Sequence, residues 1–311
     1  MYPKPTVHIL LATYNGARYL ADQLQSITRQ SHSAWTLTVS DDGSIDDTLN
    51  IVQNFAAKVD QPVTILQGPR QGSSTANFCY LLSQAPIGNS QDLYAFCDQD
   101  DVWHDDKLQR AVHFHSQHAN QSVRLYCGRT QFVDEQLRPI GLSPKIIRPA
   151  SFGNALVQNI ASGNTMVFTQ TVLLAQKKIQ PIHSVWHDWT TYIVATALGG
   201  LVWFDDKPCL LYRQHGDNVI GANDGLKAQI ARIQPLFKGR FKQWSDINAS
   251  AVQDIQDLVS QLPQQIFKDF LKMRSESCCL NRFHIFIKST IRRQYFLSNI
   301  TLALAVVLNL C

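Results

Sequence analysis

Along the first hundred residues, short runs of consecutive apolar side chains alternate with longer stretches in which apolar positions recur every three or four residues. Val7 to Ala12 and Trp35 to Val39 read as strands buried on both faces, and Val63 to Gln67 and Leu93 to Cys97 continue the series. Ala17 to Arg29 and Asp46 to Lys58 fill the helix slots between them. This alternation predicts β-α-β units on a mostly parallel sheet flanked by helices. Right-handed crossovers then set the carboxyl ends of the strands along one edge, where open α/β sheets bind their ligands.

Further along, a helix is expected near Asp106 to Ser116, and Gln136 to Phe152, with three prolines, reads as a mobile connection. An apolar-periodic stretch runs from Trp189 to Gly199, and Leu201 to Leu211 reads as a strand pair broken near Lys207-Pro208. Ser250 to Leu262 reads as helix. Phe283, Ile287, Ile291 and Tyr295 recur every four residues beside a stripe of His284, Lys288 and Arg292, which predicts an amphipathic basic helix. The apolar run from Phe296 to Cys311 falls short of the roughly 20 residues that span a bilayer.

Composition adds limits. The 311 residues are 45% hydrophobic and 17% charged, which excludes disordered and low-complexity classes. The net charge of +4 is too small to imply nucleic acid, but it is unevenly spread. Residues 1–225 carry 16 Lys and Arg against 19 Asp and Glu, and residues 226–311 carry 12 against 5. The expected organisation is therefore an α/β domain over 1–225 and a helical, basic extension over 226–311. Seven cysteines form no CxxC pair and no zinc spacing, so they are expected to be reduced and buried. The N-terminus lacks the apolar segment of a secretory signal, which favours a cytoplasmic compartment.

Polar clusters follow three of the predicted strands: Thr13-Tyr14-Asn15-Gly16, Ser40-Asp41-Asp42-Gly43-Ser44 and Asp98-Gln99-Asp100-Asp101. Each alone also suits a turn or a helix cap; three on one edge point to a site. The acids after the fourth strand repel one another unless a cation joins them, and a hard divalent ion takes one or two carboxylates and completes its shell with substrate phosphates. Tyr14 offers a face for stacking a base, and Asp42 an acceptor for the imide N–H of uracil or thymine. His187-Asp188-Trp189 opens a helix, where Asp188 suits either a cap or a general base. In Tyr212-Arg213-Gln214-His215, Arg213 suits diphosphate oxygens and His215 a phosphate or a metal.

Taken in order, these segments together with Leu11-Ala12, Phe96-Cys97, Val102-Trp103 and Ser162-Gly163-Asn164-Thr165-Met166 resemble glycosyltransferase family 2, the inverting nucleotide-sugar transferases of GT-A fold, and most of all its bacterial rhamnosyltransferase-type members. The resemblance covers about Thr6 to Ala222. It implies that Thr13, Tyr14, Asn15, Asp42 and Asp98 bind the nucleotide, and that Asp100, Asp98 and His215 hold Mg2+ or Mn2+. Asp188 is the implied base, with Gly163, Asn164, Trp189 and Arg213 near donor, acceptor or leaving diphosphate. The implied partners are a nucleoside diphosphate sugar, with dTDP-rhamnose as its example, and a glycan or lipid-linked acceptor used in cell-surface polysaccharide synthesis such as O-antigen. Nucleic acid is not among them, and peripheral contact with the inner membrane is. UDP-hexose or UDP-N-acetylhexosamine donors, or a lapsed binding protein, are the alternatives. Ile45 stands where the family often has Thr, and Thr190 where it often has a second aromatic residue. A dinucleotide-binding oxidoreductase is disfavoured because no GxGxxG turn follows the first strand.

Overall fold

The computed structural model describes residues 4–215 and 239–310, so the expected boundary at 225/226 lies outside the described residues. The chain divides into two compact units: residues 1–145, 161–177 and 202–221 form the first, and 146–160, 178–201 and 222–311 the second.

The first unit is built on a sheet of order β3-β2-β1-β4-β8-β6-β9-β5, with β7 paired to β6. Its strands are β1 (Val7–Thr13), β2 (Trp35–Asp41), β3 (Val63–Gln67), β4 (Leu93–Cys97), β5 (Val102–Trp103), β6 (Arg124–Val133), β7 (Pro139–Leu142), β8 (Val167–Thr169) and β9 (Leu201–Arg213). β1 to β4 are parallel; β8 runs antiparallel to β4, and β6 to β8. Val7, Ile9, Leu10 and Leu11 of β1 and all five residues of β4 are fully enclosed, which is why these runs are continuously apolar. β3 is an edge strand and is correspondingly half exposed. Helices α1 (Leu20–Thr28), α2 (Thr48–Ala56), α3 (Ser74–Gln84), α4 (Lys107–Gln117) and, past the short second-unit helix α5 (Phe152–Ala155), α6 (Gln170–Gln176) complete the first unit. Because β2 and β3 add on one side of β1 and β4 on the other, the loops after β1 and β4 diverge at a switch point.

Two expectations in this unit change. The connection from Gln136 to Phe152 contains β7, which turns back on β6 because Asp134 accepts the N–H groups of Gln136 and Arg138 at 3.0 and 2.9 Å. Leu201 to Arg213 is one strand and not a broken pair: Pro208 has no N–H for the ladder, but its carbonyl accepts Arg110 Nη1 at 3.0 Å.

In the second unit α7 (His187–Ala197) is buried from Trp189 to Ala197, its threonines tolerated there because Thr191 and Thr196 donate their hydroxyls to the carbonyls of His187 and Tyr192. It is followed by α8 (Arg240–Asp254), α9 (Gln261–Ser275), α10 (Cys279–Lys288) and α11 (Phe296–Val307). The helix expected over Ser250 to Leu262 straddles the break between α8 and α9, where Ser260 N–H donates to the Ala197 carbonyl. The basic helix stops at Lys288, because Arg292 folds back onto the carbonyls of Phe286 and Ile287 at 3.1 and 3.0 Å and Ile291 is buried. Cys97, Cys127 and Cys209 are free and buried as expected, but Cys278 and Cys279 are free and exposed at the start of α10. No helix among the described residues is long and apolar enough to cross a membrane.

Candidate active site

The register of β1 against β2 ends on Thr13 beside Asp41, so the two polar turns start level. Asp41, nearly buried, closes them. Its carboxylate accepts Thr13 Oγ1 at 2.9 Å, Ser44 Oγ at 2.5 Å, and the N–H groups of Gly43 and Ser44 at 3.2 and 2.8 Å. Asn15, with φ of 46°, receives Ile45 N–H on Oδ1 at 2.9 Å and donates its own N–H to Ser44 Oγ at 2.8 Å. Asn77 of α3, fully enclosed, accepts Ser40 Oγ and donates to the Ser40 carbonyl at 2.9 Å. These bonds fix the turns from within and leave the aromatic ring of Tyr14 exposed, 52% open to solvent.

Asp42 is placed differently from the simple picture of an open acceptor. Its oxygens take the N–H groups of Arg70 at 2.6 Å, Gln71 at 3.3 Å and Gly72 at 2.8 Å, which pins the loop after β3 against the turn. A carboxylate has about four acceptor positions, so at most one remains for a base.

The loop after β4 is clasped to the loop after β1. Gln99 Oε1 accepts Tyr14 N–H at 2.9 Å and its Nε2 donates to the Tyr14 carbonyl at 3.0 Å. A Cβ on Gly16 would come within 2.2 Å of that Oε1, so only glycine leaves room for the clasp. On the same loop Asp100 accepts His215 Nε2–H at 2.8 Å, while Arg213, almost fully buried, donates to the Asp100 carbonyl at 3.1 Å, the Glu135 carbonyl at 2.6 Å and Asp22 at 2.8 Å. Tyr19 packs on both, with Arg213 4.5 Å from its ring centre and the His215 ring at 5.0 Å. Arg213 thus holds the main chain of the acidic loop. Asp98 lies half-buried at the loop's start.

Beneath the loop, Asp101 is fully buried and accepts the Asn164 amide. Burial, reinforced by the charges of Asp100 and Asp98, pushes its carboxyl well above the usual range. The Asn164 carbonyl takes Lys107 Nζ at 2.6 Å; that ammonium lies 3.1 Å from the centre of the Trp103 ring, and burial lowers it to about 8. Asn164 and the buried Gly163 therefore form the floor under the acids.

Asp188 and Trp189 belong to the second unit. Asp188 stands in the first turn of α7 and accepts Trp189 N–H at 2.6 Å. Trp189 is buried, donates Nε1–H to the Ala155 carbonyl at 2.7 Å and packs with Trp186 and Trp244 at 5.9 and 6.2 Å, which makes it core. Burial pushes the neighbouring His187 down to about 3, so it is neutral at physiological pH. Gln99, Asn77, Lys107 and Asp22 are the members that sequence reasoning passed over. Only Gln99 had a signal, lying inside the acidic motif with a glycine in the facing turn. A depression of about 500 Å³ lined by Arg29, Trp103, His104, Asp106, Lys207 and Leu211 includes none of Thr13, Tyr14, Asp42, Asp98, Asp100 or His215.

Among the described residues no three His, Cys, Asp or Glu side chains cluster as a ready metal cage. The donor chemistry nevertheless fits a hard divalent ion: the carboxylate of Asp100 with His215 attached, and Asp98 two residues away. Such an ion takes its remaining ligands from phosphates and water.

The sequence profile described as Glycosyl transferase family 2 matches residues 8–179. The chain is 31% identical over 230 residues to a dTDP-rhamnosyl transferase, RfbG, of Shigella flexneri, covering 72% of this chain and 78% of that protein. Among solved structures it is similar to S. aureus TarS residues 1–349 in complex with UDP-GlcNAc, at 17% identity with a TM-score of 0.53, covering 85% and 86% of the two chains. It is also similar to the mannosyltransferase PcManGT of Pyrobaculum calidifontis with GDP-Man and Mn2+, at 16% identity with a TM-score of 0.50, covering 99% and 86%. With its mixed sheet, mostly parallel and helix-flanked, and its acidic loop after β4, the chain belongs to glycosyltransferase family 2 and shares the GT-A fold.

Proposed function

We propose that this glycosyltransferase moves a sugar, with inversion, from a nucleoside diphosphate donor to a hydroxyl of a glycan or lipid-linked acceptor in cell-surface polysaccharide synthesis. The donor we favour is dTDP-rhamnose, and the observation that carries it is the 31% identity to a dTDP-rhamnosyl transferase over 72% of the chain. The exposed ring of Tyr14 stacks the pyrimidine, with Thr13 and Asn15 shaping the turn beneath it and the remaining acceptor position of Asp42 available to its N–H. Asp98 and Asp100, with His215, are the residues that would hold Mg2+ or Mn2+, and the ion would neutralise charge on the departing diphosphate. Arg213 acts at one remove, by fixing the Asp100 backbone.

Asp188 removes the proton of the acceptor hydroxyl as that oxygen attacks the anomeric carbon. A carboxylate at a helix start also serves as a cap, and Asn caps as well as Asp. Asp188→Asn therefore separates the roles: transfer should fall by about two to four powers of ten with thermal stability unchanged. Retained transfer overturns the assignment. A lipid-linked acceptor also places the protein peripherally on the cytoplasmic membrane face.

A second reading, a UDP-hexose or UDP-N-acetylhexosamine donor, draws on the fold's likeness to a protein that binds UDP-GlcNAc. Calorimetry of thymidine and uridine diphosphate sugars with Mg2+ or Mn2+ decides between them. Tighter binding of the thymidine series, lost on chelation, is the expected result.

A further inference from the structure

Helices α10 and α11 pair as a hairpin. Arg282 of α10 donates to the carbonyls of Val306 and Val307 at the end of α11, at 2.9 and 2.6 Å, and so joins the start of one helix to the end of the other. Phe286 of α10 and Leu302, Ala305 and Val306 of α11 are buried within the unit. The other faces are not covered. Leu280, Phe283 and Ile287 stand 74%, 41% and 53% exposed on α10, and Leu297, Ile300 and Leu304 stand 69%, 44% and 56% exposed on α11. Their spacing of three and four residues puts each set on one stripe.

Charge says what this apolar surface faces. From Ser277 to Cys311 the sequence contains Arg282, Lys288, Arg292 and Arg293 and no Asp or Glu. Carbonyl groups accept hydrogen bonds from Arg282 and Arg292 but do not cancel their charge, and Lys288 is exposed at the end of α10. Exposed apolar stripes with the exposed Lys288 beside them, in a segment from Ser277 to Cys311 that carries no carboxylate, are the complement of an anionic lipid surface. The 12 residues of α11 rise about 18 Å against a hydrocarbon core of about 30 Å, too little to span it.

We infer that the α10–α11 hairpin docks this protein on an anionic bilayer, its two apolar stripes at the headgroup boundary and Lys288 among the phosphates. This deepens the peripheral-membrane part of the proposed function and rests on that reading for its use. Its evidence is separate.

The test is flotation of the full chain with phosphatidylcholine vesicles, with and without phosphatidylglycerol. The protein should float with the anionic vesicles. Leu297→Asn/Ile300→Asn/Leu304→Asn should reduce bound protein at least about tenfold, and Lys288→Gln about fivefold. Because the replaced side chains are exposed, melting temperatures should not change, and Phe283→Ser/Ile287→Ser gives an independent variant if they do. Absence of flotation, undiminished flotation of both apolar variants, or a wild-type dimer that these substitutions dissociate would each overturn the inference; the last would mean that a second copy covers the surface. None of these outcomes touches transfer to a water-soluble acceptor, which tests the catalytic reading alone.

Discussion

The acidic turns after β2 and β4 look alike in sequence, yet the protein treats their buried carboxylates in opposite ways. Asp41 receives four donors from Thr13, Gly43 and Ser44 and is solvated by the protein in place of water. Asp101 has one side-chain donor, the Asn164 amide, and lies beside two further acids. Where donors replace the lost water the charged form of a carboxylate is supported, and where burial removes water without replacement, as at Asp101, proton affinity rises. Neighbouring acids in one motif thus divide by their surroundings: Asp41 ties the turns after β1 and β2 together, and Asp101 is held against Asn164 below Asp98 and Asp100.

This contrast is open to test. The largest effect should come from Asp100→Asn, which keeps the loop's shape but removes the carboxylate facing His215. Transfer should fall by about two powers of ten or more, with a weaker response to added Mn2+ in a metal titration. Unchanged metal dependence would place the ion elsewhere. Asp41→Asn comes next, because an amide nitrogen would face donors on one side; urea denaturation should show a loss of about 3 kcal/mol. A loss below about 0.5 kcal/mol would mean that the four bonds are not a charged network.

A third desolvated group checks the solvation half of the argument. His115 accepts Arg124 Nε–H on Nδ1 at 3.2 Å and so carries its proton on Nε2, which donates to the Val167 carbonyl at 3.1 Å; burial pushes it down to about 3. Between about pH 3 and 6.5 the unfolded chain binds this proton and the folded chain does not. Stability should therefore decline as pH falls below 6.5, by up to about 1.4 kcal/mol per pH unit from this group. His115→Gln should flatten that slope in denaturation curves collected across the range. The smallest effect belongs to Asp101→Asn, which keeps an acceptor for Asn164 and should change stability at neutral pH by less than about 1 kcal/mol. A loss equal to that of Asp41→Asn would erase the contrast.

The strands were legible because a strand covered on both faces must be apolar throughout, as Ile9 to Leu11 and Leu93 to Cys97 are. The three polar turns were legible because they follow such strands directly. What escaped depends on partners far apart in the chain. Nothing near Asn77 marks it as the residue whose amide donates to the carbonyls of both Thr13 in β1 and Ser40 in β2, and Lys107 resembles any helix-start lysine until the Trp103 ring and the Asn164 carbonyl surround it. Arg213 and Trp189 lie within the motifs, but their residue types say nothing of whether they face a ligand or the interior, where both lie. Periodicity also ran past the end of α10, since a four-residue repeat cannot register that Arg292 turns back to take the carbonyls of Phe286 and Ile287.

The clasp between Gln99 and Tyr14 joins positions 85 apart. A ribosome-bound chain ending before residue 99 already contains the first two polar turns but cannot lock the first of them. The turn after β1 is therefore completed only after the fourth strand has emerged, and fragments that end before Gln99 should leave the Tyr14 backbone unlocked.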